Sequence, residues 1–306
     1  MMIILKEMFY YFVFPGLLFG TGIGLLAGWV DRKVTARLQW RVGPPWYQNF
    51  VDILKLFGKE TIVPRGSAAT FLLAPYLGFL SLGLAAAIIG RALINPAVSF
   101  AGDLIVILYL LTMPAIALII GASSSRNPLA SVGAGREMKL ILGYELPFIM
   151  ALATIAIKSG SIKLGSILTY QLNFGSFFYS WSGAIALVVA IFCAQAKLGF
   201  APFEISEAEQ EIMGGVLIEY SGIPLAVFKL TKALLLYTMP LLLIVLFLGK
   251  DLHPLFIIGK FVIFLVIFIL IKNTNPRLRI DQAMRFFWGP VSLLALAAVI
   301  LALMGK

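Results

Sequence analysis

Cysteine and histidine are almost missing from this chain: Cys193 and His253 are the single examples of each. One thiol excludes an internal disulfide. It also excludes a thiolate-held iron–sulfur cluster or a cysteine-based zinc site built from this chain alone. His253 precedes Pro254 between two apolar runs, where a solvated or interfacial ring is expected. Charge is scarce as well. Only 12% of the 306 residues are charged, against about 25% in a soluble domain. With 61% of residues hydrophobic, a water-soluble fold is excluded, because a chain of this length cannot bury that much apolar surface. The alternating pattern of a membrane β-barrel is absent, as are internal repeats and low-complexity stretches. Acids are the scarcer sign, 14 against 24 bases, for a net charge of +10. The bases fall in short loops between apolar runs rather than in a stripe interleaved with aromatics, so nucleic acid is not an expected partner and lipid is.

What the chain does have is long apolar runs. A spanning helix needs about 20 mostly apolar residues. Segments of that kind lie near 8–30, 70–90, 102–122, 140–157, 181–199, 224–248, 254–272 and 286–304. The expectation is an all-α integral membrane protein with about eight transmembrane helices, forming a single transmembrane domain over 1–306. The first run is too long for a signal-peptide core and ends in Asp31-Arg32-Lys33, so it reads as an anchor. Its Gly20-Thr21-Gly22-Ile23-Gly24 follows no strand and reads as helix packing rather than a nucleotide loop.

Lys and Arg are divided unevenly between the two sides. Fifteen fall in loops 1–2, 3–4, 5–6 and 7–8, and six in the other loops and termini. The positive-inside rule then puts the first set in the cytoplasm and both termini outside the plasma membrane. Eleven of the fourteen acids lie on or near the cytoplasmic half; Glu7, Asp103 and Asp251 do not. Polar chemistry confined to one side implies a face that meets a partner or a substrate.

Four segments carry that chemistry. Gly199–Gly222 holds Glu204, Glu207, Glu209, Glu211 and Glu219. Read as an amphipathic helix in loop 5–6, with Pro202 at its start and Ser206 as a local cap, it places Glu204, Glu207 and Glu211 on one face, with Glu219 close to the same stripe. Neighbouring carboxylates hold protons more tightly, so such a row can pass protons; the plainer alternative is a solvated acidic loop. Glu145, apolar on both sides, is a buried relay position or a helix-end acid paired with Lys139 or Arg136. In loop 1–2, Phe50, Ile53, Leu54 and Phe57 recur at helical spacing after Gly43-Pro44-Pro45, giving an amphipathic helix on the membrane or a simple surface helix. Asn275–Gln282, with Arg277, Arg279 and Asp281, reads as a positive-inside anchor or a patch for an acidic partner surface.

Taken in order, these segments resemble the H-subunit family of bacterial NADH–quinone oxidoreductase (subunit 1 of mitochondrial complex I) and its relatives in energy-converting, membrane-bound nickel–iron (NiFe) hydrogenases. The resemblance rests on Arg41-Val42-Gly43-Pro44, Asp52-Ile53-Leu54-Lys55 with Lys59-Glu60, Arg136-Glu137 followed by Tyr144-Glu145-Leu146-Pro147, the run from Pro202 to Glu209 with Glu219-Tyr220-Ser221, and Pro276 to Gln282. It implies a non-catalytic membrane subunit where a peripheral electron-transfer arm docks. Arg41, Gly43, Pro44, Asp52, Lys55, Arg136, Arg277, Arg279 and Asp281 would meet that arm. Glu145, Glu204, Glu207, Glu209, Glu211 and Glu219 would begin a proton or sodium path towards antiporter-like subunits. Quinone-reducing members follow Arg-x-Gly-Pro with Asn and a glycine-rich stretch; here Pro45-Trp46-Tyr47-Gln48 follows, which is similar to the hydrogenase branch. The resemblance therefore implies a ferredoxin-driven, hydrogen-evolving complex. Its hydrogenase-like large and small subunits would hold the nickel–iron centre and the iron–sulfur clusters, with no metal or cofactor in this chain. The alternatives are a quinone-site subunit or the equivalent subunit of a sulfur-reducing complex. A stand-alone transporter would be marked by inverted repeats, which are not evident, and a passive scaffold would need no acidic row.

Overall fold

The computed structural model describes residues 2–305, with the side chains of residues 2–4, 209 and 210 outside the description. In chain order the helices are α1 (Met2–Phe12), α2 (Leu17–Leu38), α3 (Gln48–Phe57), α4 (Thr70–Ile94), α5 (Asp103–Ser124), α6 (Pro128–Ser159), α7 (Leu164–Phe174), α8 (Trp181–Lys197), α9 (Glu209–Ile212), α10 (Gly222–Phe247), α11 (Pro254–Thr274), α12 (Ile280–Phe286) and α13 (Ser292–Leu303). Among the described residues there is no strand. Among the described residues, seven helical segments are long and apolar enough to cross a membrane: Leu5–Leu38, α4, α5, α6, α10, α11 and Ile280–Leu303. The 17 residues of α8 supply an eighth apolar helix. The all-α, multi-pass membrane architecture expected from composition is the one observed.

Burial orders the bundle. The most apolar stretch of α10 is 83% buried, against 22% in α11. Hence α10 is the central post and α11 lies at the periphery. α10 packs on α4 and α2, α4 on α5, and α6 on α8 and α13. Close approach depends on small residues. A Cβ on Gly24 would sit 2.0 Å from the Ala233 carbonyl oxygen, so the glycine lets the α2 and α10 backbones touch. That is the packing role expected of the glycine-rich run.

Three local features depart from the apolar runs. The fourth span begins at Pro128 rather than near 140. Asn127 accepts the Leu129 N–H at 2.8 Å and Pro128 follows as the first helical residue, a start signal that overrides the polar stretch after it. This extension carries Arg136 and Glu137 into the helix. Between α12 and α13 the chain forms a π turn over Phe287–Val291. Pro290 has no N–H to donate, so the bonding register slips, and the Ser292 hydroxyl satisfies the Phe287 carbonyl at 2.6 Å. Loop 5–6 is the third. The helix expected there is a single turn, α9, flanked by irregular chain and a 3-10 turn at Gly215–Leu217. Gly214 and Gly215 both take positive φ, and a Cβ on Gly215 would lie 2.1 Å from the Ser206 carbonyl. The glycine pair folds the loop back on itself instead of continuing a helix.

α3 forms as expected from its periodicity. It turns Ile53 and Leu56 inward and leaves Leu54 and Phe57 outside. It is anchored to α2 by polar contacts: Asn49 donates to the Leu25 carbonyl at 2.9 Å, and Arg32 donates to Asn49 at 2.6 Å.

Candidate functional site

Glu145, Glu204, Glu207, Glu211 and Glu219 gather towards one end of the bundle, where α6 begins, α8 and α11 end and α10 begins. The folded loop from Gly199 to Ser221 is pressed between them. Gly133 on α6 makes room for it: a Cβ there would lie 2.8 Å from the Val216 nitrogen and 3.0 Å from the Ser206 carbonyl. The loop is tied down by Gln195, which donates to the Ala201 carbonyl at 2.8 Å, and by Leu278, whose N–H donates to the Pro202 carbonyl at 3.0 Å.

Because the loop is not a helix, Glu204, Glu207 and Glu211 do not form one stripe. Each turns to a different cation. Glu204 pairs with Arg277 at 2.8 Å and Glu211 with Arg136 at 2.6 Å, while Glu207 pairs with Lys232 of α10. Glu219 accepts from the Asn127 amide at 2.5 Å. The Glu209 side chain lies outside the described residues. Glu211, with its side chain 60% exposed, keeps the character of a solvated loop acid, whereas Glu207 is drawn inward; together the pairs form a charged seam.

Glu145 lies on α6 itself, outside the loop. Of the alternatives left by the sequence, Lys139 and Arg136 are not its partners; Lys197 at the end of α8 is, with Nζ 2.9 Å from Oε2. The Lys197 side chain is only 1% exposed and its ammonium lies over the Tyr144 and Phe148 rings at 5.0 and 5.2 Å. Aromatic faces and one carboxylate are what keep a lysine charged out of water. The second Glu145 oxygen is buried without a partner. A cavity of about 40 Å³, room for a few waters, lies beside Lys197, lined by Glu137, Lys197, Ser206, Glu207, Thr231 and Lys232 among apolar residues.

Lys197, Lys232 and Glu137 are the residues of this candidate site that a linear reading misses. Lys197 reads as the first residue of a loop and Lys232 as one base within a span. Nothing linear signals that they project into the same cavity. Glu137 lies in a polar stretch outside the apolar run. The Asn127-Pro128 pair is the available signal that the helix starts earlier.

The expected partner-facing residues divide into two groups. Arg41, Lys55, Arg279 and Asp281 are exposed, available to a partner. Gly43 and Pro44 fold back on α2, where the Trp29 indole donates to the Pro44 carbonyl at 3.1 Å. Asp52 is held by Gln48 at 2.7 Å and Arg32 at 3.2 Å. Partial burial pushes its carboxyl up, but those hydrogen bonds and the Arg32 and Lys55 charges outweigh it and hold Asp52 below the usual carboxylate range. Arg136 and Arg277 are committed to Glu211 and Glu204. Asp31 pairs with Lys272 at 2.7 Å, and a second cavity of about 280 Å³ opens between α2, α3 and α10, with Asp31, Arg32, Asn49, Asp52, Lys229 and Lys232 at its polar wall. Among the described residues no cluster of three metal-ligating side chains occurs.

Comparison with known proteins places this arrangement. The family model described as NADH dehydrogenase matches residues 12–303. The H subunit of NADH-quinone oxidoreductase from Anoxybacillus flavithermus is 31% identical, covering 94% of this chain and 93% of its own length. The same subunit from Geobacillus sp. strain WCH70 is 32% identical over 89% of this chain and 86% of its own. Among solved structures, a chain of the membrane-bound sulfane sulfur reductase, an archaeal respiratory membrane complex, superposes with a TM-score of 0.85 at 28% identity, over 94% of this chain and 96% of that one. The chain belongs to the NADH dehydrogenase family of membrane subunits, which includes the H subunit of NADH-quinone oxidoreductase.

Proposed function

We propose that this chain is the membrane coupling subunit of a multi-subunit, ferredoxin-driven oxidoreductase, linking electron transfer in a peripheral arm to proton or sodium translocation. The observation that carries the reading is the charged seam, in which Glu145–Lys197 and Glu207–Lys232 are drawn into an apolar bundle. Ionisable groups in a membrane interior are costly and mark ion paths. The pairs sit beside loops rich in exposed Arg and Lys, and those loops are the docking face for hydrogenase-like large and small subunits on the cytoplasmic side. Antiporter-like membrane subunits continue the ion path. The chain adds no redox group of its own. Nickel, iron and iron–sulfur clusters belong to the partners.

For the electron acceptor, the Pro45-Trp46-Tyr47-Gln48 continuation supports the hydrogen-evolving branch. The likeness to a sulfane sulfur reductase chain favours a second reading, in which the same subunit serves sulfur reduction. Both give this chain the same work. The test is to purify the complex from native membranes in mild detergent, measure its nickel, and assay hydrogen evolution and sulfane-sulfur reduction with reduced ferredoxin. Nickel with hydrogen evolution establishes the first reading. Sulfur reduction without nickel establishes the second, and inhibition by quinone-site ligands points to a quinone enzyme. A chain that purifies alone and transports ions in liposomes overturns the coupling role.

A further inference from the structure

Glu137 and Glu219 are the acids of the seam without a cation among the described residues; Glu219 has the Asn127 amide, and Glu137 is the more buried of the two. Glu137 is 8% exposed, yet among the described residues it has no cation within ion-pair distance, while Glu145, Glu204, Glu207 and Glu211 each have one. Its carboxyl faces Ser206, Glu207, Lys232 and Lys197, and Tyr144 lies on the same helix face one heptad further on. Both lysines line the cavity that Glu137 lines, and each is already held by another glutamate.

A bare carboxylate in such a place is expensive. It is neutralised by a proton or by a lysine that leaves its present partner. A metal cation is a poor third choice. Hard cations need a shell of several oxygens. This cavity of about 40 Å³ offers two carboxylates and the hydroxyls of Ser206 and Thr231, and two ammonium groups oppose a cation there.

We propose that Glu137 is the proton-loading residue of the path, and that it exchanges its proton for Lys197. In the loaded state Glu137 is a neutral acid and Lys197 rests on Glu145. In the exchange the Glu137 O–H bond breaks, the Lys197 ammonium moves onto the carboxylate so formed, and the proton bonds to the Glu145 carboxylate that Lys197 has left. Charge is conserved at every point and no electron moves. The proton advances about 12 Å along α6, the rise of eight residues, towards the membrane interior. The unpartnered Glu145 oxygen is free to receive it.

This inference rests on the coupling role proposed above, and the experiment separates the two. Membrane vesicles carrying the whole complex are prepared with Glu137→Gln, Glu137→Asp and Glu145→Gln. Electron-transfer turnover, proton movement and the infrared C=O band of a protonated buried carboxyl are measured. The expected result is an assembled Glu137→Gln complex with proton movement reduced at least ten-fold, partial rescue by Glu137→Asp, and a carboxyl band that vanishes in Gln and shifts in Asp. Normal proton movement in Glu137→Gln alongside its loss in Glu145→Gln overturns the Glu137 assignment and leaves the coupling role standing. Normal movement in both removes the coupling role itself. If Glu137→Gln does not assemble, the wild-type complex still decides: absence of any protonated-carboxyl band overturns the proposal, and a band shifted by Glu137→Asp sustains it.

Discussion

The Lys197–Glu145 pair offers the sharpest test of how this bundle tolerates charge. The Lys197 side chain is 1% exposed and its partner 18%, whereas Arg32 and Asp52 are 48% and 35% exposed. Breaking a buried pair by removing one partner costs about 3–5 kcal/mol, because the survivor is left as an uncompensated charge. An exposed pair is worth about 0–1 kcal/mol. Lys197→Met strips Glu145 of its cation, and Glu145→Gln strips Lys197 of its carboxylate. Each single change is expected to lower stability by about 3–5 kcal/mol. The double variant removes both charges and keeps similar volumes, so it is expected to recover about 2 kcal/mol or more of the summed loss. The matching cycle on Arg32→Met and Asp52→Asn should show coupling of about 1 kcal/mol or less. Thermal unfolding of the purified complex in detergent, followed by tryptophan fluorescence, reads both cycles. Additivity of the Lys197 and Glu145 losses within about 0.5 kcal/mol would refute the claim that this pair is one buried electrostatic unit.

Further outcomes follow from the local geometry. Gly24→Ala drives a methyl into the Ala233 carbonyl, whereas Gly22 has nothing within 4 Å of its would-be Cβ. Gly24→Ala should therefore cost about 1–3 kcal/mol and Gly22→Ala nothing, read by the detergent lifetime of the two complexes. Asn127→Ala removes the α6 cap and the Glu219 donor together. A loss of about 1 kcal/mol is expected, with faster amide exchange confined to the first turn of α6. Asp52 titrates below the usual carboxylate range. The stability it adds to α3 is thus complete above its unfolded pKa, near 4, and fades as pH falls through the lower folded value. The signal of Trp46, next to α3, should change with acid in that window, and Asp52→Asn should abolish the dependence. Ser292→Ala removes the hydroxyl that shares the Phe287 carbonyl with the Ser292 N–H at the π turn; the carbonyl keeps its main-chain donor, so the loss should be about 0.5 kcal/mol or less in the same thermal assay.

Much of this protein is written in its linear sequence, and the reason is solvent. In lipid a backbone must satisfy its own hydrogen bonds, so each long apolar run is a helix whatever its neighbours do. That is why the spans and the all-α class follow from the apolar runs, save the early start of α6 at Pro128, and the amphipathic helix at Gln48–Phe57 follows from periodicity. The family is legible too, because Arg41–Pro44, Tyr144–Pro147 and Pro202–Glu209 are short and local. What lies between helices is another matter. The Glu204–Glu219 segment has acids at helical spacing, yet Gly214 and Gly215 turn it back on Ser206. That competition is settled by packing against Gly133 of α6, which no local window contains. The choice of ion partners is likewise a tertiary outcome. Lys197 lies 52 residues from Glu145, and Lys232 lies 25 from Glu207. A buried charge takes whichever counter-charge the bundle delivers. Sequence by itself determined that this chain is a membrane protein with an acidic face. Only the packing of α6, α8 and α10 decided that the face is a seam of lysines and glutamates in which, among the described residues, Glu137 has no cation within ion-pair distance.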